Sequence, residues 1–391
     1  MNILPSRNIL LSETFGRFFS SQKLSGLILL FATISSLYLA NSNYSMQYCA
    51  FWEKEITLTN TVHFSILHFI NEGMMTIFFF LVGLEIKREL RDGELKGFEK
   101  ASIPVSAALG GMLVPALIYS YFNNGTTTSN GWGIPMATDI AFAIGVISIL
   151  GNRISNTAKV FITALAVVDD LGAVLVIAIY YSSSLKLFYL LISSGIMAFL
   201  IFLNQKNVEK GYIYVFLGLL LWFCIFSSGI HSTLAGVLLA ATIPFKGKSD
   251  SLLQKFEQAL HKPVNLLIMP IFAMANTAIV INGGFFNHLQ SDEGMGIIFG
   301  LALGKPIGIT IFVLLTLFLL KRKMPDGMNL KTLIGLGFLG GIGFTMSIFI
   351  SMLAFNDQSF IANAKISIMF ASFLAGLIGF ILLSVLNKKN G

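Results

Sequence analysis

The chain has 391 residues, 55% of them apolar and 12% charged, with a formal net charge of +7. A soluble domain is about 25% charged, so this composition cannot clothe a soluble surface of such size, and most of the exterior must meet lipid. Two cysteines exclude a disulfide framework or a cysteine metal cluster, and the bases lie in short loops between apolar runs, a pattern of membrane orientation and not of nucleic-acid binding.

In chain order, the first apolar run spans 24–42. It begins too late and runs too long for a cleaved signal peptide and reads as a spanning helix. Segments of spanning length follow at 60–86, 101–122, 131–150, 157–181, 186–204, 211–227, 229–244, 263–281, 294–320, 332–353 and 361–386. The thinnest division is Ser227-Ser228-Gly229, between the seventh and eighth. Twelve crossings put both termini on one side. The loops of that side then carry 22 lysines and arginines, and the other side carries only Lys54, Lys186 and Lys365. The asymmetry predicts cytoplasmic termini. No soluble domain is visible, so residues 1–391 form a single integral membrane unit with a cytoplasmic tail over 1–23. The stretch 43–58 is an outside loop long enough for a hairpin, with Tyr48, Phe51 and Trp52 at the interface. The amphipathic 250–262 extends the ninth helix into the cytoplasm.

Ionisable groups inside the bilayer cost several kcal/mol and mark function by default. Asp139, Asp169, Asp170 and Lys305 each fall near the middle of a segment. Asp169 and Asp170 are helical neighbours, so their side chains diverge by about 100°. One can face water while the other reaches a partner on another helix. Lys305 is the only cation expected within a span, and its bland reading is a structural ion pair. Carboxylate oxygens suit Na⁺ and a proton equally, and one site that holds either is the minimal machine for exchange.

The fourth segment, GWGIPMATDIAFAIG, is interrupted by Gly131, Gly133 and Pro135 just before Thr138 and Asp139. The eleventh, GLGFLGGIGFTMSIF, carries Gly340, Gly341 and Gly343. Close packing is the plain reading of such glycines. Interruptions in corresponding segments of two halves also mark transporter sites, in folds that include the family named below. The two lie seven helices apart, an odd number, so they cross in opposite directions. Repeat halves at about 101–181 and 294–386 are expected, related by inverted topology. Crossed broken helices present partial charges of roughly ±0.5 at their inner ends. Asp139 is placed to balance the positive ends and Lys305 the negative ones.

An intramembrane aspartyl protease needs aspartates on different helices, one of them in a GxGD motif that this chain lacks. A channel favours rings of carbonyls or carboxylates over broken helices. A Na⁺-coupled symporter of the same fold is the strongest alternative, although the sequence displays no organic substrate pocket. Gly335–Gly340 matches GxGxxG but lies within an apolar span, outside any βαβ unit.

The motifs FFFLVGLEIKREL (78–90), PMATDIAFAIG (135–145), ALAVVDDLGAVLVIAI (164–179), SGIHSTLAGV (228–237), LALGKPIGI (301–309) and GGIGFTMSIFI (340–350) together resemble the NhaA-type bacterial Na⁺/H⁺ antiporters, over nearly the whole chain. The resemblance implies an inner-membrane protein that expels Na⁺ or Li⁺ against a larger number of protons, without a cofactor. It implies Asp169 and Asp170 as the Na⁺ ligands, Lys305 as partner of Asp169, and Thr138 and Asp139 in the broken fourth helix. It further implies activation at alkaline pH through Glu85, Arg88, Glu89, Glu257 and His261, with His231 as a further candidate. Read alone, the charges of 85–100 form a solvated loop and His231 is a packing or capping residue. Gln258 stands where relatives often carry a histidine, which leaves the pH threshold open. Homodimers joined through 43–58 are implied as well.

Overall fold

The computed structural model describes the backbone of residues 7–59, 62–181, 185–247, 251–281 and 285–386, with side chains from Leu24 onward apart from 56–63, Asn152, Phe285 and Leu386. Most of the expected tail, and the expected inside bases Arg7, Arg17, Lys23, Lys248, Lys388 and Lys389, thus lie outside the described side chains.

The molecule is an all-α polytopic membrane protein. Helix α1 (Arg7–Ala40) turns through 116° into the short α2 (Ser45–Glu53). Strands β1 (Glu55–Thr59) and β2 (Val62–Ser65) pair antiparallel. Then come α3 (Ile66–Asp92), α4 (Phe98–Phe122), a 3₁₀ helix Ser129–Met136, α5 (Ile140–Leu150), α6 (Asn156–Tyr180), α7 (Leu187–Gln205), α8 (Gly211–Ser228) and α9 (Leu234–Thr242). The chain continues with α10 (252–276), α11 (Asp292–Leu319), α12 (Leu330–Gly340), α13 (Phe344–Ala354) and α14 (Gln358–Leu386). Among the described residues eight helical spans are long and apolar enough to cross a membrane, or ten if each of two bent pairs is one crossing.

Two of the twelve expected segments are not marked by length and composition. The segment expected at 229–244 contains the nine-residue α9, about 14 Å long against a hydrocarbon core of about 30 Å. The one expected at 263–281 is the second half of α10, whose first half is charged. The second segment starts at Ile66 rather than 60, because 62–65 is consumed by strand pairing. The paired strands therefore occupy Glu55–Thr59 and Val62–Ser65, and most of 43–58 is α2 and its flanks.

Local chemistry explains several boundaries. Ser155, Ser251, Ser291 and Asn329 each accept a backbone N–H of the helix they open, the standard satisfaction of orphan donors. Gly229 ends α8 in the left-handed region, φ +89°, which a side chain would resist. Three single π-turns interrupt the helices, at Ile70–Met74, Val264–Ile268 and Gly300–Gly304. Such turns rotate the downstream face and recur at functional sites. The last ends directly before Lys305.

The broken segment 129–150 is the most buried of the spans, whereas α7 is almost wholly peripheral. Helices α4 and α11 meet backbone to backbone at Gly110 and Gly308. A Cβ on either would lie 2.1–2.2 Å from the other's carbonyl oxygen. This contact sets the depth at which α11 carries Lys305 into the centre.

Candidate functional site

The two interrupted segments meet at their breaks. The first runs from the 3₁₀ helix through extended 137–139 into α5; the second bends by 47° between α12 and α13. The Asp139 amide donates to Ile342 O at 2.6 Å, joining the two breaks directly. The Asp139 carboxylate then serves both following helices. Its Oδ1 accepts the Phe142 N–H of α5 at 3.1 Å, and its Oδ2 accepts the Thr345 N–H of α13 at 3.1 Å and the Thr345 hydroxyl. One negative charge thus faces two positive helix ends.

The negative ends are met differently. Lys305 donates from Nζ to Met136 O, at the end of the 3₁₀ helix. Gly340 O, at the end of α12, is contacted by the Thr138 hydroxyl at 2.9 Å. Lys305 therefore serves one end, and Thr138 the other.

Asp169 and Asp170 sit at the middle of α6, both buried. Lys305 Nζ lies 2.7 Å from Asp169 Oδ2. The Thr138 hydroxyl lies 2.6 Å from the same oxygen, while Asp169 Oδ1 is buried without a hydrogen-bond partner among the described residues. The Thr138 hydroxyl has one proton for two acceptors, Asp169 Oδ2 and Gly340 O. The Lys305 ammonium supplies Asp169 Oδ2 with a donor when the Thr138 proton turns to Gly340 O.

Asp170 points elsewhere, as the angle between helical neighbours requires. It makes no hydrogen bond to a described residue and borders a cavity of about 50 Å³ shared with Thr138, Asp139, Thr345, Glu85 and Asn265. That space accommodates a few waters or a small cation. Pockets for organic ligands are roughly 300–1,000 Å³, so the cavity does not favour an organic co-substrate.

Of the residues linked to pH regulation, five cluster and one does not. Arg88 at the end of α3 reaches Glu89 at 3.0 Å and Glu257 of α10 at 3.2 Å. Glu85 lies one turn earlier and lines the cavity that Asp170 borders. His261, one turn after Glu257, has Asn265 Nδ2 3.4 Å from its Nε2. Burial pushes the Glu257 carboxyl above its ordinary range, Arg88 opposes that shift, and Glu89 adds to it. Burial, and then Arg88, push His261 below the ordinary imidazole value. His231 lies apart from this cluster. Its Nδ1 is 3.8 Å from Glu72, and its Nε2 is 2.9 Å from Tyr181 O. Glu72 lies thirteen residues before Glu85 on α3, about 20 Å along the helix axis.

Several buried or half-buried polar residues escaped the sequence reading. Glu72 lies within an expected span and caps the chain entering α9, accepting from Ser232 N and Oγ at 3.2 and 2.6 Å. A search for every acid within a span finds it. Lys365, expected among the outside loop bases, is buried in α14. It lies so close to the expected helix start at 361 that periodicity alone misassigns it. Thr345 carried no charge signal, and only its place two residues after Gly343 hints at a helix-entry role.

The family described as Na⁺/H⁺ antiporter 1 matches residues 16–383. The chain is 47% identical over 381 residues to a Flavobacterium johnsoniae protein named Na(+)/H(+) antiporter NhaA 1, covering 97% of this chain and 99% of that one. It is 46% identical over 379 residues to the Na(+)/H(+) antiporter NhaA of Cytophaga hutchinsonii, covering 97% of each. It is also 46% identical over 385 residues to the protein of that name from Dechloromonas aromatica, covering 97% and 98%.

Proposed function

The chain belongs to the Na⁺/H⁺ antiporter 1 family, and from that premise we propose that it exchanges Na⁺ or Li⁺ for protons at Asp169 and Asp170 by alternating access. The observation that carries this reading is the pair's division of labour. Asp170 is a buried carboxylate without a hydrogen-bond partner among the described residues, on a cavity of ionic size, while Asp169 is held by Lys305 and Thr138. A proton and a dehydrated alkali cation compete for the same oxygens, so loading one unloads the other.

The exchange is electrogenic in this account. Na⁺ that binds across both aspartates displaces a proton from Asp170. It also competes with the Lys305 ammonium for Asp169. Release of the lysine proton then gives two protons per Na⁺. One net charge moved is worth about 2.3 kcal/mol per 100 mV, enough to expel Na⁺ when the pH gradient is small. Asp139 and Thr138 hold the crossing that the ion site leans on. Glu85, Arg88, Glu89, Glu257 and His261 set the pH range, and rising pH activates the protein as Glu257 and His261 lose their protons.

The chain crosses the bacterial inner membrane twelve times, with α9 and α10 as the crossings beyond the ten marked by composition. The loops rich in lysine and arginine face the cytoplasm, as do both termini. Two halves, 101–181 and 294–386, have inverted topology. Both consist of a long helix, a broken segment and another long helix, and the second halves of the broken segments start from the same carboxylate. Two copies assemble through the outer hairpin.

The test is Na⁺-induced collapse of a respiration-driven pH gradient in everted vesicles from an antiporter-deficient host. Wild type collapses the gradient at alkaline pH, and Asp170→Asn does not. Collapse by Asp170→Asn at the wild-type rate would sink the assignment of the site.

A further inference from the structure

Lys365 is, besides Lys305, the only cationic side chain buried among the described residues. The ion cluster does not use it. Its ammonium has one hydrogen bond, to Asn276 Oδ1 at 3.4 Å, and no described carboxylate pairs with it. Asn276 is itself buried and donates from Nδ2 to Asn71 Oδ1 at 2.9 Å. Asn71 in turn contacts Met352 Sδ at 3.4 Å. A polar chain thus ties α14, α10, α3 and α13 together.

Its position follows from counting along three helices that wall the ion cavity. Phe78, Met269 and Met346 line that cavity on α3, α10 and α13. Asn71 lies seven residues before Phe78, Asn276 seven after Met269, and Met352 six after Met346. Each displacement is about 10 Å along its helix, away from the charged first half of α10. On the proposed orientation this is the outer side. Between the two levels lie Phe79, Phe272 and Phe349, each no more than 1% exposed. The Phe349 ring centroid is 5.4 Å from Phe79 and 6.4 Å from Phe272. Three helices therefore close over the cavity with an aromatic layer and meet again beyond it at two amides and an ammonium.

We propose that this stack is the outer gate of the ion path, and that the Asn71 and Asn276 side-chain oxygens form a transient outer Na⁺ site, closed by the Lys365 ammonium on the Asn276 oxygen and by the Asn276 amide on the Asn71 oxygen. The chemistry is a competition. Amide oxygens are hard ligands suited to an alkali cation, and a buried ammonium without a counter-ion is held only by such oxygens. The tethered cation also repels external Na⁺ while the gate is shut. Opening separates the three phenylalanines, withdraws the ammonium from Asn276 and parts Asn276 from Asn71, which frees both oxygens for the departing ion. The proposal rests on the antiport reading and adds a second cation site, remote from Asp170.

The test compares apparent KM for Na⁺ at the two faces, with right-side-out and everted vesicles. Lys365→Met removes the competing cation and lowers the outer KM several-fold, with the inner KM unchanged. Lys365→Arg retains the charge and leaves both at wild-type values. Asn276→Leu removes an oxygen ligand and raises the outer KM alone. Should Lys365→Met fail to reach the membrane, Lys365→Gln keeps a donor to Asn276 and is read in the same way. Equal movement of both KM values in the lysine variants, or movement of neither, overturns the gate while the antiport reading stands. Absence of Na⁺-dependent exchange by wild type at either face overturns the antiport reading and the gate with it.

Discussion

Two neighbouring carboxylates in one helix occupy very different surroundings. Asp169 has a buried ammonium at 2.7 Å, and Asp170 has only the cavity. Removing one partner of a buried ion pair typically costs about 3–5 kcal/mol because the other charge is left unpaired. Asp169→Asn is therefore expected to lower the thermal unfolding midpoint in detergent markedly, whereas Asp170→Asn holds it or raises it. Equal losses would mean that the pair is not divided in this way. The sequence carried this division, since the 100° between helical neighbours forces it. It also carried the opposing roles of Asp139 and Lys305 at helix ends. It hid Thr138 as the ligand of Gly340 O, because an uncharged hydroxyl in an apolar span is unremarkable. It hid Lys365 as well, whose burial depends on where α14 begins.

At the scale of elements, charge at the C-terminal end of α3 is coupled to α10 through Arg88. Arg88 lowers the Glu257 carboxyl and the His261 imidazole alike. Removing the guanidinium raises both, so both lose their protons at a higher pH. Arg88→Gln should thus move the rising edge of the transport–pH profile to more alkaline values. An edge that stays in place or moves to acid would separate these groups from activation. The cluster was legible only through resemblance, since the same charges read alone describe a solvated loop. The broken segments were legible from Pro135 and from Gly340, Gly341 and Gly343, whose lack of helix propensity is local. The short α9 was not. Its sequence is apolar over a longer stretch, and only tertiary contacts, such as Glu72 at its entry and Lys87 donating to Ala241 O and Ile243 O at its exit, set its limits.

Across the whole molecule, the long spans enclose a crossing where backbone would otherwise be unsatisfied in lipid. Every inner end of the two broken segments has a partner: Asp139 for two N-termini, Lys305 for Met136 O and Thr138 for Gly340 O. The crossing is thereby stable without an ion, and in the proposed mechanism this leaves Asp170 free to exchange its ligand. The most direct test of that claim is proton release by the purified protein on addition of Na⁺ in weakly buffered detergent solution, followed across pH for wild type and Asp170→Asn. The account predicts that Na⁺ and Li⁺ release protons from wild type in the activating pH range and none from the variant. Proton release by Asp170→Asn equal to that of wild type would contradict it.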